Sequence, residues 1–151
     1  MTDLITRSVP RYRLPQPETL RRSGIVQTIV ANDTVYVSGI APLTDASGEL
    51  DVAGTTLTEQ LVYVLGVLER SLAAVGVGRE GLVAWTIYTT DVPPALAECT
   101  PILKDWVGAH PPTSTWIGCS GFIHPPSNCW NSPPPPSSPS DLCTFTGARR
   151  R

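Results

Sequence analysis

The sequence is poor in charge, in aromatic residues and above all in histidine, and each shortage removes a class of function. Charged residues make up 16% of the 151 positions, and acidic side chains outnumber basic ones 13 to 11, for a formal charge of -2. Nucleic acids and anionic membrane surfaces both select a clear excess of Lys and Arg, so neither is expected as a partner. The run Arg149-Arg150-Arg151 is too short to change that. No apolar stretch approaches the ~18 residues of a membrane span. The first residues also lack the apolar segment of a secretion signal, so a cytoplasmic location is expected. His110 and His124 are the only histidines, and neither has ligand spacing to a second His or to a Cys pair. No metal site and no cofactor is therefore expected. Cys99 and Cys119 fall in the body of the chain and Cys129 and Cys143 near its end. In a cytosolic protein all four are expected as free thiols.

Proline, in contrast, is in excess. Seven of the 16 prolines (Pro125, Pro126, Pro133, Pro134, Pro135, Pro136 and Pro139) lie beyond Gly121, among several serines. Such a stretch cannot pair as central strands or continue a helix. The chain divides into an N-terminal extension (1–23), a body (24–121) and a Pro/Ser-rich tail (122–151) expected to lack regular structure. A body of this size forms one domain with an adequate core.

Within the body, Ile25–Ala31 is a β-branched run, and Asn32-Asp33 separates it from Thr34–Ser38. Two short apolar runs around a two-residue loop predict a hairpin. Gly39–Gly54 is a loop with Pro42 and the turn-forming Asp45-Ala46-Ser47-Gly48. Thr56-x-x-Glu59 is a capping box ahead of Leu57, Leu61, Val64, Leu65, Leu68, Leu72 and Val75, one apolar stripe at helical spacing. Gly76 and Gly78 stop that helix. Leu82–Thr90 reads as a strand, with Val83, Trp85 and Ile87 on one face and Ala84, Thr86 and Tyr88 on the other. Asp91-Val92-Pro93-Pro94 opens a second helix over residues 95–108, with Leu96, Ile102, Leu103, Trp106 and Val107 as its apolar residues. Pro101 is expected to disturb its first turns. Ser114–Cys119 is a further strand. The order β-β-α-β-α-β predicts an α/β (α+β) domain with two helices on one face of a mixed sheet of four or more strands.

Gly24-Ile25-Val26-Gln27, the hairpin, Tyr36–Pro42, the helix end Ala73–Gly76, Trp85–Asp91 and His110–Thr115 follow one another in an order and spacing that resembles the Rid (YjgF) family. The resemblance covers residues 24–121. It implies a chorismate-mutase-like fold and a homotrimer with clefts between subunits. The best-known members of that family hydrolyse reactive enamines and imines to ketoacids and ammonia.

Carried over position by position, the resemblance places Ser38 and Gly39 at the family's strand-end pair, where a hydroxyl and a backbone N–H face the cleft. Thr113 stands where deaminating members carry the arginine that holds the substrate carboxylate. Arginine offers a permanently charged, bidentate fork, and threonine one neutral hydroxyl. Ile25 takes the place of the cleft tyrosine, and Cys99 lies near an asparagine position of the second helix. For Cys99 a small buried residue is the competing reading. A late-strand glutamate that positions water in those members has no counterpart. Ser38, Gly39, Thr113, Ile25 and Cys99 are the candidate substrate-binding residues, and no catalytic residue is identified. Ser38 lacks a nucleophile elbow and a partner histidine, so its expected role is hydrogen bonding and not acyl transfer.

The function implied is hydrolysis (deamination) of a small reactive enamine or imine, or of a related carbonyl-type metabolite, in an intersubunit cleft. The alternative is a non-catalytic trimer of the same fold that binds a small ligand. Some family members carry a ribonuclease label, but no basic stripe or stacking platform is legible here.

Family members finish on an apolar strand, reading roughly Pro, a polar pair, then Val/Leu-Glu-Leu/Ile-Glu-Ala. This chain has Pro126–Ser132 and a proline run instead, so the final strand is expected to be missing. A sheet without it exposes unpaired backbone groups, which predicts a weak or aggregation-prone trimer. Two readings of the tail stay open. One is a native Pro/Ser segment without fixed structure. The other is a change of reading frame near Ile123. Written in GC-rich codons and read from the third base, His124–Ser138 becomes Pro-Pro-Glu-Gln-Leu-Leu-Glu-Leu-Ala-Ala-Thr-Ala-Val-Ile, a family-like strand that includes an acidic residue.

Overall fold

The computed structural model describes residues 5–8, 24–44, 51–121 and 142–149. The predicted hairpin is present as β2 (Thr28–Ala31) and β3 (Thr34–Ile40). Ala31 pairs with Thr34 across the two-residue loop, and Asn32 takes a φ of 54°, a left-handed conformation that asparagine tolerates better than most residues. An additional strand, β1 (Ile5–Ser8), lies in the N-terminal extension and pairs antiparallel with β2. A separate two-stranded ribbon, β4 (Leu43–Thr44) with β5 (Asp51–Val52), follows the hairpin.

The first helix, α1 (Leu57–Ala73), starts on the capping box. The Thr56 hydroxyl accepts the Glu59 N–H (3.2 Å), and the Glu59 carboxylate accepts the N–H groups of Thr55 (2.8 Å) and Thr56 (3.1 Å). These donors, Thr55 first, hold the Glu59 carboxyl below the ordinary glutamate range. The folded value is the depressed one, so the contribution is present above about pH 4.3 and fades as the pH falls through the folded-state value. Glu59→Gln is expected to flatten the acid limb of a plot of Tm against pH. Coincident acid limbs for the two proteins would remove this carboxylate from the acid response.

The predicted apolar stripe of α1 is buried, and Gln60, Val67 and Ser71 are buried with it, so the covered face is wider than the stripe. Ser71 satisfies its hydroxyl on the Val67 carbonyl one turn back, at 2.9 Å. After α1, Gly76 takes a φ of 75° and a short turn, Arg79–Gly81, leads into β6 (Leu82–Thr89). Arg79 joins the two helices: it pairs with Glu69 at 3.1 Å, lies 5.4 Å from the Trp106 ring centroid and donates to the Trp106 carbonyl at 3.2 Å.

The face assignment of Val83 is corrected by the structure. Trp85 and Ile87 do share one face, which is buried, but Val83 is 43% exposed and Leu82 is buried. The pairing of β6 slips between Leu82 and Ala84, and this irregularity breaks the simple alternation there.

The second helix, α2 (Val92–Val107), begins three residues before the predicted start. Its first-turn N–H groups have no intrahelical acceptor, so Pro93 and Pro94 fit there without loss. Pro101 is accommodated inside the helix; the carbonyl it leaves without a donor belongs to Ala97, which is exposed to water. The buried face is Ala95, Cys99 and Leu103, one residue per turn, while Leu96, expected among the apolar contacts, is 40% exposed. The strand β7 (Thr113–Gly118) pairs parallel with β6.

The expectation of a missing final strand is overturned. β8 (Leu142–Arg149) runs antiparallel between β3 and β6 and completes a six-stranded sheet of order β1-β2-β3-β8-β6-β7. The segment Leu-Cys-Thr-Phe-Thr is free of proline and rich in residues that suit a pleated, half-buried surface, so it escapes the constraint that the preceding prolines impose. Within the tail, residues 122–141 lie outside the described residues.

The predicted α+β class, with two helices on one face of a mixed sheet, is what the structure contains. Val30, Val35, Val37, Ile40, Trp85, Ile87 and Ala148 form the sheet side of the core, packed with the apolar faces of α1 and α2. Among the described residues the opposite sheet face carries no helix, and it presents Tyr36 and Ile117, 56% and 38% exposed. Among the described residues no helix is long and apolar enough to cross a membrane.

Candidate functional site

The candidate residues at the start of the hairpin come together. Ser38 lies opposite Val26 and Gln27, where the ladder continues past the start of β2. Its N–H donates to the Gln27 carbonyl (2.8 Å), and its hydroxyl donates to the Val26 carbonyl (2.6 Å). A hydroxyl that has given its proton to Val26 keeps only acceptor capacity for a ligand. Such an acceptor matches the N–H of an imine, iminium or ammonium group. Next to it the pairing of β3 with β8 slips by one residue between Val37 and Ile40, which makes Ser38-Gly39 a bulge. Gly39 is exposed there. Ile25, 43% exposed, belongs to the segment that holds Ser38.

Thr113 is not part of this group within one chain. It stands at the start of edge strand β7, exposed, with its hydroxyl donating to the Val83 carbonyl at 3.2 Å. The registers Tyr36↔Gly147, Gly147↔Ala84 and Ala84↔Thr113 put Thr113 in one transverse row with Tyr36. Two strands, β8 and β6, lie between β3 and β7, a separation of about 14 Å at ~4.8 Å per strand.

Cys99 lies in the core and presents nothing to an outer cleft. Burial, and secondarily Glu98, pushes its thiol up to about 11. At pH 8 only about one molecule in a thousand would carry the reactive thiolate. Cys119, also a free thiol, is half-buried at the end of β7, with its N–H on the Thr89 carbonyl at 2.9 Å. Iodoacetamide at pH 8 is therefore expected to label Cys119 well before Cys99 in the native protein, and both equally in denaturant. Peptide mapping that found equal labelling in the native chain would contradict the burial of Cys99.

Sequence reasoning passed over Gln27. It is only 4% exposed, and its Nε2 donates to the Ser38 carbonyl at 3.3 Å. The available signal was one amide side chain in a run otherwise made of Ile, Val and Thr. The last strand, β8, contains no carboxylate. Among the described residues no three His, Cys, Asp or Glu side chains are grouped to hold a metal.

The sequence model of the family described as endoribonuclease L-PSP matches residues 20–125. No curated protein sequence matches the chain. The fold is similar to that of yeast Mmf1, with a TM-score of 0.74, 19% identity and coverage of 97% of this chain and 99% of the other. A member of the YjgF/YER057c/UK114 family from Mycobacterium tuberculosis gives a TM-score of 0.71 at 16% identity, with 97% and 99% covered. A YjgF-family protein from Neisseria meningitidis gives 0.66 at 21%, with 97% and 95% covered. At such identities the likeness is one of fold.

Proposed function

This chain belongs to the endoribonuclease L-PSP family, the YjgF or Rid proteins, and from that premise we propose that it hydrolyses a small reactive enamine or imine in a cleft between subunits of a homotrimer. The observation that carries the reading is the Ser38-Gly39 bulge. It combines an acceptor hydroxyl, whose proton is committed to Val26, with an adjacent exposed backbone position. An acceptor for nitrogen beside a backbone donor for oxygen suits an imino acid. In the reaction, water adds to the C=N carbon, nitrogen takes up the protons and the C–N bond breaks, giving ketoacid and ammonia.

Two features support a cleft shared between copies. Thr113 is about 14 Å from the bulge strand within one chain, so a site using both draws them from different subunits. The sheet face opposite the two helices, with Tyr36 and Ile117 exposed, is a surface that association would cover.

One observation favours the second reading, a trimer that binds the ligand without turning it over. Thr113 offers a neutral hydroxyl that is already engaged with Val83, and β8 supplies no acid or base. A ribonuclease reading has no comparable support, because the chain is net negative. Ammonia release from 2-iminobutyrate generated in situ tests the proposal, together with calorimetric titration by 2-oxobutyrate. Turnover above the buffer blank supports the hydrolase, and binding without turnover supports the ligand-binding trimer. Neither would sink both readings.

A further inference from the structure

We propose that Gln27 is a positioning residue that sets the direction of the Gly39 amide and so makes it the oxygen-binding donor of the site; the inference rests on the small-ligand reading above. At 4% exposure a primary amide has to be satisfied inside the protein. The side chain of Gln27 does this on Ser38, its Nε2 donating to the Ser38 carbonyl at 3.3 Å, while the Gln27 backbone carbonyl accepts the Ser38 N–H at 2.8 Å. With the Ser38 hydroxyl on Val26 at 2.6 Å, Ser38 is gripped at three points by the two residues ahead of β2. Only the NH2 end of the amide can face a carbonyl, so the contact also fixes which way the Gln27 amide is turned.

The carbonyl contact is the one with consequences for chemistry. The Ser38 carbonyl and the Gly39 N–H belong to one planar trans peptide and point in opposite directions. A carbonyl drawn toward Gln27 turns the Gly39 N–H away from β2, toward the stretch where the β3–β8 register slips. A bulge leaves one residue of its strand outside the regular pairing, and a backbone N–H there can be given to a ligand oxygen. The ligand group is the carboxylate or carbonyl oxygen of a small keto or imino acid. Gln27 touches neither the ligand nor the reacting atoms; it acts through the Ser38-Gly39 peptide.

The test uses the full-length, 15N-labelled chain with Gln27→Met, which keeps the length and removes the donor, and Gln27→Asn, which keeps a donor too short to span the gap. In both variants the Gly39 cross-peak is expected to move and to broaden or double, as the peptide samples two orientations. The amides of the α1 core, such as Leu61 and Leu68, keep their shifts. The Kd for 2-oxobutyrate rises about tenfold or more, in line with losing one oriented hydrogen bond. Either variant that keeps its α1 amides suffices for the reading. An unmoved Gly39 peak and an unchanged Kd in such a variant would overturn the inference. A displaced Gly39 peak in a protein whose wild type binds no 2-oxobutyrate would leave the positioning role standing and remove the ligand class.

Discussion

Deleting residues 142–151 abolishes the cooperative thermal melt, whereas deleting residues 1–8 lowers Tm by only a few degrees. Both deletions take away one strand, and the difference lies in its place. β1 is an edge strand and pairs with β2 alone, while β8 pairs along its length with β3 on one side and β6 on the other. Without β8 those two strands face each other across an empty slot about 9.6 Å wide, twice the normal spacing, and cannot bond directly. Each backbone bond contributes about 0.5–1.5 kcal/mol net, and a buried group left unpaired costs more. Summed over two ladders, with Ala148 removed from the core under α1, the loss reaches the whole ~5–15 kcal/mol of an ordinary domain. The slot holds only one strand. A chain in which His124 is followed by Pro-Glu-Gln-Leu-Leu-Glu-Leu-Ala-Ala-Thr-Ala-Val offers a more apolar occupant and is expected to melt higher than the chain with Leu142–Arg149. Calorimetry on the proteins decides these points: a sharp melt for the chain lacking 142–151 would show that β8 does not hold the sheet together. A stop within a few codons of the alternative frame would end the reading-frame account.

What was legible in the sequence is what local chemistry decides. The Thr56/Glu59 box and the leucine stripe of α1 are spelled out within 17 residues, and the Asn32-Asp33 loop states its hairpin in two. What was not legible depends on partners far along the chain. β8 follows a proline run that reads as the end of structure, and its place is decided by strands that lie more than 50 residues earlier. The slip at Leu82/Ala84 that exposes Val83 arises in the pairing with β8, so it was hidden for the same reason. At the site, the Ser38-Gly39 pair could be placed by its motif. The burial of Gln27, which makes its amide hold Ser38, appears only when the segment ahead of β2 is folded against β3. Cys99 shows the reverse: its spacing of four from Ala95 and from Leu103 is a core signature, and the structure puts it in the core.

Thr113→Arg is expected to lower the Kd for 2-oxobutyrate and to raise kcat/KM for in-situ 2-iminobutyrate, each by about tenfold or more. The position tolerates the change because Thr113 is exposed on an edge strand, and the single neutral bond from its hydroxyl to Val83 is all that is lost. That bond is worth about 1 kcal/mol or less at an exposed site, so the fold is expected to survive. What is gained is a guanidinium fork for the carboxylate of the substrate. Hydrogen bonds to charged groups contribute about 1.5–3 kcal/mol, and 1.4 kcal/mol is tenfold in affinity. If the gain comes from bidentate geometry, Thr113→Lys returns only part of it, since an ammonium is a point charge without the fork. If it comes from charge alone, Arg and Lys are equal and the advantage of both shrinks together as salt is raised. Titration and ammonia release on the three proteins at two salt concentrations distinguish these cases. An arginine variant that folds, assembles like the wild type and yet binds 2-oxobutyrate no more tightly would show that position 113 does not face the ligand carboxylate.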